Sequence, residues 1–157
     1  MEKPPKNRII SGAAAILSVG VVALAGSLLV NTQSEWYLAL NKPQFQPPST
    51  VFFIVWMLLY ALIAISITIL VLKNTITRGL VVMFAVNGLL QLLWNFIFFQ
   101  LCLPVAALAV LLGLVVQTLL LVRQTLARNG IAGWILVPYA IWIVFAFVLN
   151  YVISMIN

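Results

Sequence analysis

Long apolar stretches alternate with short polar connections along this chain. Four stretches contain no charged residue, and they cover residues 9–30, 51–72, 79–122 and 129–157. A membrane-spanning helix needs about 20 apolar residues, so the first, second and fourth stretches each hold one span. The third is about twice as long and must fold back near residues 100–104.

Alternation with a period of two residues, which marks the strands of a membrane barrel, is absent. The pattern therefore predicts an all-α membrane protein that forms a single domain over residues 1–157. Its five transmembrane helices are predicted at residues 8–30, 49–72, 78–99, 103–122 and 131–156.

The only long polar interruption, residues 31–48, joins the first two predicted helices. Its polar side chains, Lys42 among them, must stay hydrated or find hydrogen-bond partners beside a membrane. Pro47 and Pro48 restrict the backbone immediately before the second helix. The segment is either a rigid turn between two spans or a structured lid over a pocket between helices.

Composition and charge also place the chain in a membrane. It is 65% hydrophobic and 6% charged, whereas a soluble domain carries roughly a quarter charged residues. In a five-helix topology, all of the 8 basic residues except Lys42 fall on the side of the N-terminus. The positive-inside rule then predicts a cytoplasmic N-terminus and a C-terminus outside. The net charge of +6 therefore reflects topology, and no nucleic-acid partner is expected.

The first apolar stretch has two possible roles. A basic start, an apolar run and Ala23-Leu24-Ala25 resemble a secretory signal with its cleavage site. The run to Val30 is long for a signal core, which favours a retained helix. Because this helix is rich in glycine and alanine, which permit close approach between membrane helices, we expect it to pack inside the bundle.

Aromatic residues recur at helical spacing near the start of helix two. Phe53, Trp56 and Tyr60 are three and four residues apart, which places them on one face below the polar segment. Tryptophan and tyrosine near the end of a span commonly form an interfacial belt. Trp56 lies about two turns into the helix, so the wall of a pocket is the alternative.

Amides form a stripe along helix three. Asn87, Gln91 and Asn95 follow one another at steps of four, with Trp94 beside them. Since amides facing lipid are costly, the stripe is predicted to face inward, where it makes interhelical hydrogen bonds, lines a ligand cavity, or does both. Helix five carries a similar stripe, made of Pro138, Tyr139, Trp142, Ala146 and Asn150.

The residue types that are missing exclude most enzyme classes. The chain has no histidine, which removes imidazole ligands and serine–histidine nucleophiles, and no metal site is expected. Cys102 is alone, so it forms no internal disulfide, and the two acids, Glu2 and Glu35, lie outside the predicted spans. The latter argues against a proton-coupled pump. The remaining aromatic rings and inward amides suit a flat, largely apolar ligand between helices.

These motifs resemble the TspO family, also known as tryptophan-rich sensory proteins, translocator proteins or peripheral benzodiazepine receptors. The most specific matches are Trp36-Tyr37, Leu40, Lys42-Pro43, Pro47-Pro48, Val55-Trp56 and Leu59-Tyr60. The signature of the family's third helix is matched by Trp94 and Ile97-Phe98-Phe99. Its fifth-helix pattern is matched by Pro138-Tyr139, Trp142, Phe145-Ala146 and Leu149-Asn150.

The resemblance implies a homodimer whose subunits each have a pocket closed by the first loop. Such a pocket binds porphyrins, for example protoporphyrin IX, and drug-like molecules, with no covalently bound cofactor. Some bacterial members degrade protoporphyrin in light, and the tryptophans implicated there match Trp56 and Trp142. This protein is then a ligand-binding protein, a light-dependent enzyme of that kind or a small transporter. The implied binding residues are Trp36, Lys42, Phe53, Trp56, Tyr60, Asn87, Gln91, Trp94, Tyr139, Trp142, Ala146 and Asn150.

Two departures from the family pattern change what is expected. The family has glutamine followed four residues later by asparagine, whereas Asn87 and Gln91 stand here in the reverse order, so drug binding does not carry over unchanged. Animal members carry a sterol-recognition pattern that needs a basic residue after Tyr151. This chain has none there, so sterol is not an expected partner. The missing basic residue and the charge pattern together predict that the protein lies in a bacterial cytoplasmic membrane, surrounded by membrane lipid.

Overall fold

Five long helices and a short one make up the part of the chain that the structure describes. This computed structural model covers the backbone of residues 6–157 and the side chains of residue 10 and residues 12–157. The helices are α1 (Lys6–Leu29), α2 (Glu35–Ala39), α3 (Ser49–Leu72), α4 (Arg78–Asn95), α5 (Pro104–Arg128) and α6 (Gly130–Ile156). The charge argument also used Glu2, Lys3 and the side chains of Lys6 and Arg8, which lie outside the described parts.

Each long helix is apolar and long enough to cross a membrane. For α4 the span includes the turn that follows it, to Gln100. No strand occurs within residues 6–157. The predicted fold class, an all-α membrane protein of five spanning helices with a structured loop between the first two, is therefore confirmed.

The chain reverses between α4 and α5 through a π-helical turn, Phe96–Gln100. Cys102 follows with φ 57°. Pro104 stands in the first turn of α5, where a backbone N–H would have no acceptor within the helix, so proline is tolerated there. The wider turn lets the consecutive residues Phe98 and Phe99 both face the first loop. Their rings lie 5.5 Å from Trp36 and 5.6 Å from Tyr37, respectively, between centroids. Such turns often occur at functional sites.

A close helix pair, α5 with α6, supports one side of the bundle. A Cβ atom on Gly133 would lie 2.6 Å from the backbone nitrogen of Leu126, so only glycine permits this approach. Ser66 of α3 donates a 2.9 Å hydrogen bond to the carbonyl of Ala132, which joins α3 to the same end of α6. Fully buried apolar side chains fill the space between these helices, among them Leu70, Leu111, Leu114, Leu136 and Ile143.

Helix α1 lies at the edge of the bundle, against α3 and α4. Its large side chains point outward, with exposed fractions of 63% to 76% for Leu17, Val21, Leu24 and Leu28. The expectation that this helix packs inside the bundle was wrong. Its small residues do permit close approach, at Gly26 for example, but on one face only.

Candidate ligand-binding site

A cavity of about 330 Å³ lies beneath the first loop. Its walls come from α1, α3, α6 and α4 with the π-helical turn, and the loop covers it with Tyr37 and Gln46. Small-molecule sites generally measure about 300–1,000 Å³. Exposed side chains form part of the rim: Val30, which follows α1, and Phe53 and Met57 of α3. The cavity therefore opens sideways between these two helices.

Trp56 is at the centre of an aromatic wall. The centroid of its ring lies 5.8 Å from that of Tyr60, 6.2 Å from that of Trp94 and 6.5 Å from that of Tyr139. Aromatic rings attract one another at these separations. Trp56 lines the cavity, as do Phe53 and Tyr60 from the same face of α3. The helical spacing thus produces a pocket wall at this position.

Several polar side chains in the walls are hydrogen-bonded within the protein. Gln91 donates from Nε2 to the Tyr60 hydroxyl at 2.8 Å. Trp94 donates from Nε1 to Oδ1 of Asn150 at 3.0 Å, and Asn150 donates from Nδ2 to the carbonyl of Pro104 at 2.9 Å. These bonds fix the orientations of the side chains that α3, α4 and α6 contribute to the cavity.

Asn95 differs from these groups because its side-chain amide makes no hydrogen bond to another residue that the structure describes. It is 5% exposed and lines the cavity. A Cβ atom on Gly26 would lie 3.3 Å from both Asn95 Nδ2 and the Tyr60 hydroxyl oxygen, so glycine lets α1 approach these two polar groups closely without crowding them. The Asn95 amide can therefore donate a hydrogen bond to a ligand in the cavity and accept one from it. Asn95 stands in the predicted amide stripe but was not among the predicted binding residues.

Polar and aromatic contacts hold the first loop over the cavity. Gln46 donates from Nε2 to the Tyr37 hydroxyl at 3.1 Å, and the Lys42 ammonium lies 4.6 Å from the centroid of the Tyr37 ring. Burial raises the pKa of Tyr37 above its usual value, while the bond from Gln46 lowers it. The C-terminus fastens the loop, since Asn157 accepts from the Asn41 N–H at 2.9 Å and donates to the Asn41 carbonyl at 3.1 Å.

Trp142 lies behind the cavity and does not line it. The centroid of its ring is 5.3 Å from that of Phe52 and 5.1 Å from that of Phe145. Its Nε1 atom is buried and has no hydrogen-bond partner within the described part of the chain. Because Phe52 itself lines the cavity, one ring separates Trp142 from it.

Asn87 and Tyr139 belong to a hydrogen-bond network deeper in the bundle. The Tyr139 hydroxyl donates to Asn87 Oδ1 at 2.6 Å, and Asn87 Nδ2 donates to Thr118 Oγ1 at 2.9 Å and also to Gln117 Oε1. The network joins α4, α5 and α6. Because the order of the two amides is reversed, the shorter side chain, Asn87, lies in the network, and the longer one, Gln91, lies at the cavity.

The cavity brings together these predicted binding residues: Phe53, Trp56, Tyr60, Gln91, Trp94, Ala146 and Asn150. The others surround it: Trp36 and Lys42 in the loop, Trp142 behind Phe52, and Asn87 and Tyr139 in the network. The predicted binding residues left out the contribution of α1, whose glycines and alanines were attributed to packing, and the loop residues Tyr37 and Gln46. Among the described residues, no group of three or more potential metal-ligating side chains occurs.

Fold and site together define a class of protein: an integral membrane protein of five helices with an aromatic cavity beneath a structured first loop. A family model described as TspO/MBR family matches residues 14–156, and the chain belongs to that family, which confirms the predicted resemblance.

Named relatives resemble the chain along most of its length. The tryptophan-rich protein TspO of Archaeoglobus fulgidus is 33% identical over 95% of this chain and 98% of its own. The tryptophan-rich protein TspO of Chlorobaculum tepidum is 32% identical over 87% of this chain and 89% of its own. The tryptophan-rich sensory protein of Cereibacter sphaeroides is 29% identical over 87% and 84%, respectively.

Proposed function

We propose that this protein binds a flat aromatic ligand of the tetrapyrrole class, such as protoporphyrin IX, in the cavity beneath the first loop. The main support is Trp56, which lines the cavity in ring contact with Tyr60 and Trp94 and so offers a macrocycle an extended stacking surface. A whole tetrapyrrole is larger than this cavity of about 330 Å³, so the ligand extends through the opening between α1 and α3.

Filling the cavity from α1 tests this proposal. A side chain at Gly26 would enter the space beside Asn95 and Tyr60, whereas a Cβ atom at Gly20 on the same helix meets nothing within 4 Å. Protoporphyrin IX is titrated in the dark and followed by tryptophan fluorescence. Gly26→Leu should lose roughly tenfold in affinity, the equivalent of about 1.4 kcal/mol, and Gly20→Leu should match the wild type. Equal quenching of all three proteins would contradict binding in the cavity.

Lys42 provides a charge complement for a porphyrin that carries carboxylates. It is the only basic residue in the loop over residues 31–48, and its ammonium lies over the ring of Tyr37, which lines the cavity. Lys42→Ala should weaken binding of a dicarboxylic porphyrin by roughly fivefold, the effect of a partly solvated ion pair worth about 1 kcal/mol. The dimethyl ester of the same porphyrin is the control. Equal losses for acid and ester would remove this role.

Light-dependent oxidation of the bound porphyrin by O₂ is a second candidate function. It is favoured by the position of Trp56, an oxidisable indole that lines the cavity. Illumination at saturating porphyrin should give a defined product that is lost in Trp56→Phe. Trp142→Phe should only slow its formation, because Phe52 stands between that indole and the cavity. The same product at the same rate from free porphyrin in detergent would exclude an enzymatic role.

A further inference from the structure

We infer that the protein holds one acyl chain of an anionic phospholipid in a second space, a groove between α1, α3 and α4. The groove is open to the outside of the bundle and has a volume of about 710 Å³. Its walls are mainly apolar, formed by Val19, Val22, Ile63, Ile67 and Phe84 among others. It extends away from the lid. This inference does not depend on the proposed porphyrin site.

Tyr60 and Gln91 separate the groove from the cavity beneath the loop. Among the described residues only these two line both spaces, and they are joined by the 2.8 Å hydrogen bond from Gln91 Nε2 to the Tyr60 hydroxyl. Other polar side chains along the groove are also satisfied internally, Asn87 by its network and Ser18 by a 2.8 Å bond to the carbonyl of Ala15. Hydrocarbon therefore enters without leaving those groups unpaired.

The length of the groove matches one leaflet of a bilayer. Its lining runs from Tyr60 to Val71 on α3 and from Val81 to Leu92 on α4. Each of these segments extends about 16 Å at a rise of about 1.5 Å per residue. Half of the hydrocarbon core measures about 15 Å. The shape therefore fits an extended acyl chain of a lipid in that leaflet.

Two exposed cations stand at the end of the groove that is remote from the lid. Val71 and Ile76 line that end, and Lys73 and Arg78 lie beside them along the chain. Glu35, the only acidic residue in the described part of the chain, is in the first loop at the opposite end, so neither cation pairs with an acid there. A negatively charged headgroup complements this pair while its acyl chain fills the groove.

Native mass spectrometry of the full-length protein measures this lipid preference. The protein in detergent is given equimolar phosphatidylglycerol and phosphatidylcholine with identical acyl chains. The wild type should retain phosphatidylglycerol roughly 30-fold better, since each cation contributes roughly fivefold. Lys73→Gln/Arg78→Gln should abolish the preference. Arg123→Gln/Arg128→Gln, which removes two cations from the C-terminal end of α5, should keep it.

Filling the groove tests the site of the acyl chain. Ala85 lines the groove, whereas Val82 is exposed on the same helix outside it. Ala85→Phe should lose retained phosphatidylglycerol, and Val82→Phe should retain it, with unchanged helix content in both. Equal retention of the two lipids by the wild type, or equal losses in both charge variants, would overturn the inference. A dimer that is lost only in Ala85→Phe would also overturn the inference, because a second copy of the chain would then occupy the groove.

Discussion

Asn87, Gln91 and Asn95 follow one another at intervals of one turn along α4, and each has different surroundings. Asn87 is committed to the network with Tyr139 and Thr118, and Gln91 bonds to Tyr60 between the two spaces. Asn95, nearest the lid, lines the cavity and makes no side-chain hydrogen bond within the described part of the chain. The spacing predicted that all three face inward. It could not distinguish them, because the partners come from residues distant in sequence.

Replacing the two outer amides of this stripe separates a structural role from a binding role. Asn87→Leu leaves the Tyr139 and Thr118 hydroxyls without their partner and should lower the free energy of unfolding by about 1–3 kcal/mol. Asn95→Leu removes no protein hydrogen bond and should leave stability unchanged while altering ligand affinity. Thermal unfolding in detergent, with a porphyrin titration of each variant, measures both effects. Similar destabilisation by the two substitutions would contradict this assignment.

At the scale of elements, hydropathy predicted the spans, and local hydrogen bonding determined where the helices end. Helix four was predicted to stop at residue 122, before the first arginine, whereas α5 continues to Arg128. A helix can extend past the hydrocarbon region, and here Asn129 interrupts it, its side chain accepting from the N–H of Ala132 at 3.0 Å to begin α6. The π-helical turn was not predicted, because Phe96–Gln100 has the same apolar character as the helix before it.

The contact between α5 and α6 gives a stability prediction for one glycine. Gly133→Ala places a Cβ atom 2.6 Å from the backbone of Leu126, so the helices must separate, at a cost of about 1–3 kcal/mol. Gly113→Ala on α5 is the matched control, since its Cβ atom meets nothing within 4 Å. Thermal unfolding in detergent should show a lower midpoint for the first variant alone. Equal midpoints would mean that the two helices do not pack so closely.

At the scale of the whole molecule, depth along the bundle decides which predicted residues reach the cavity. The cavity occupies the turns nearest the lid, so Ala146 and Asn150 of α6 line it, whereas Tyr139, on the same face but two turns deeper, joins the network. Trp142 is displaced to one side, behind Phe52. Helical periodicity identifies the face on which a residue lies. It carries no information about how far down that face a cavity extends, and this limited the prediction of the site.

The central claim, that a tetrapyrrole stacks in the cavity lined by Trp56, is tested most directly by two single substitutions. Protoporphyrin IX is titrated in the dark into the wild type, Trp56→Phe and Trp142→Phe, and the midpoint of fluorescence quenching is compared. Loss of the indole in the cavity should weaken binding by roughly fivefold, since an aromatic contact is worth about 1 kcal/mol within a range of about 0.5–1.5 kcal/mol. Trp142→Phe should bind within about twofold of the wild type. Equal midpoints in all three proteins, or a loss confined to Trp142→Phe, would contradict the account.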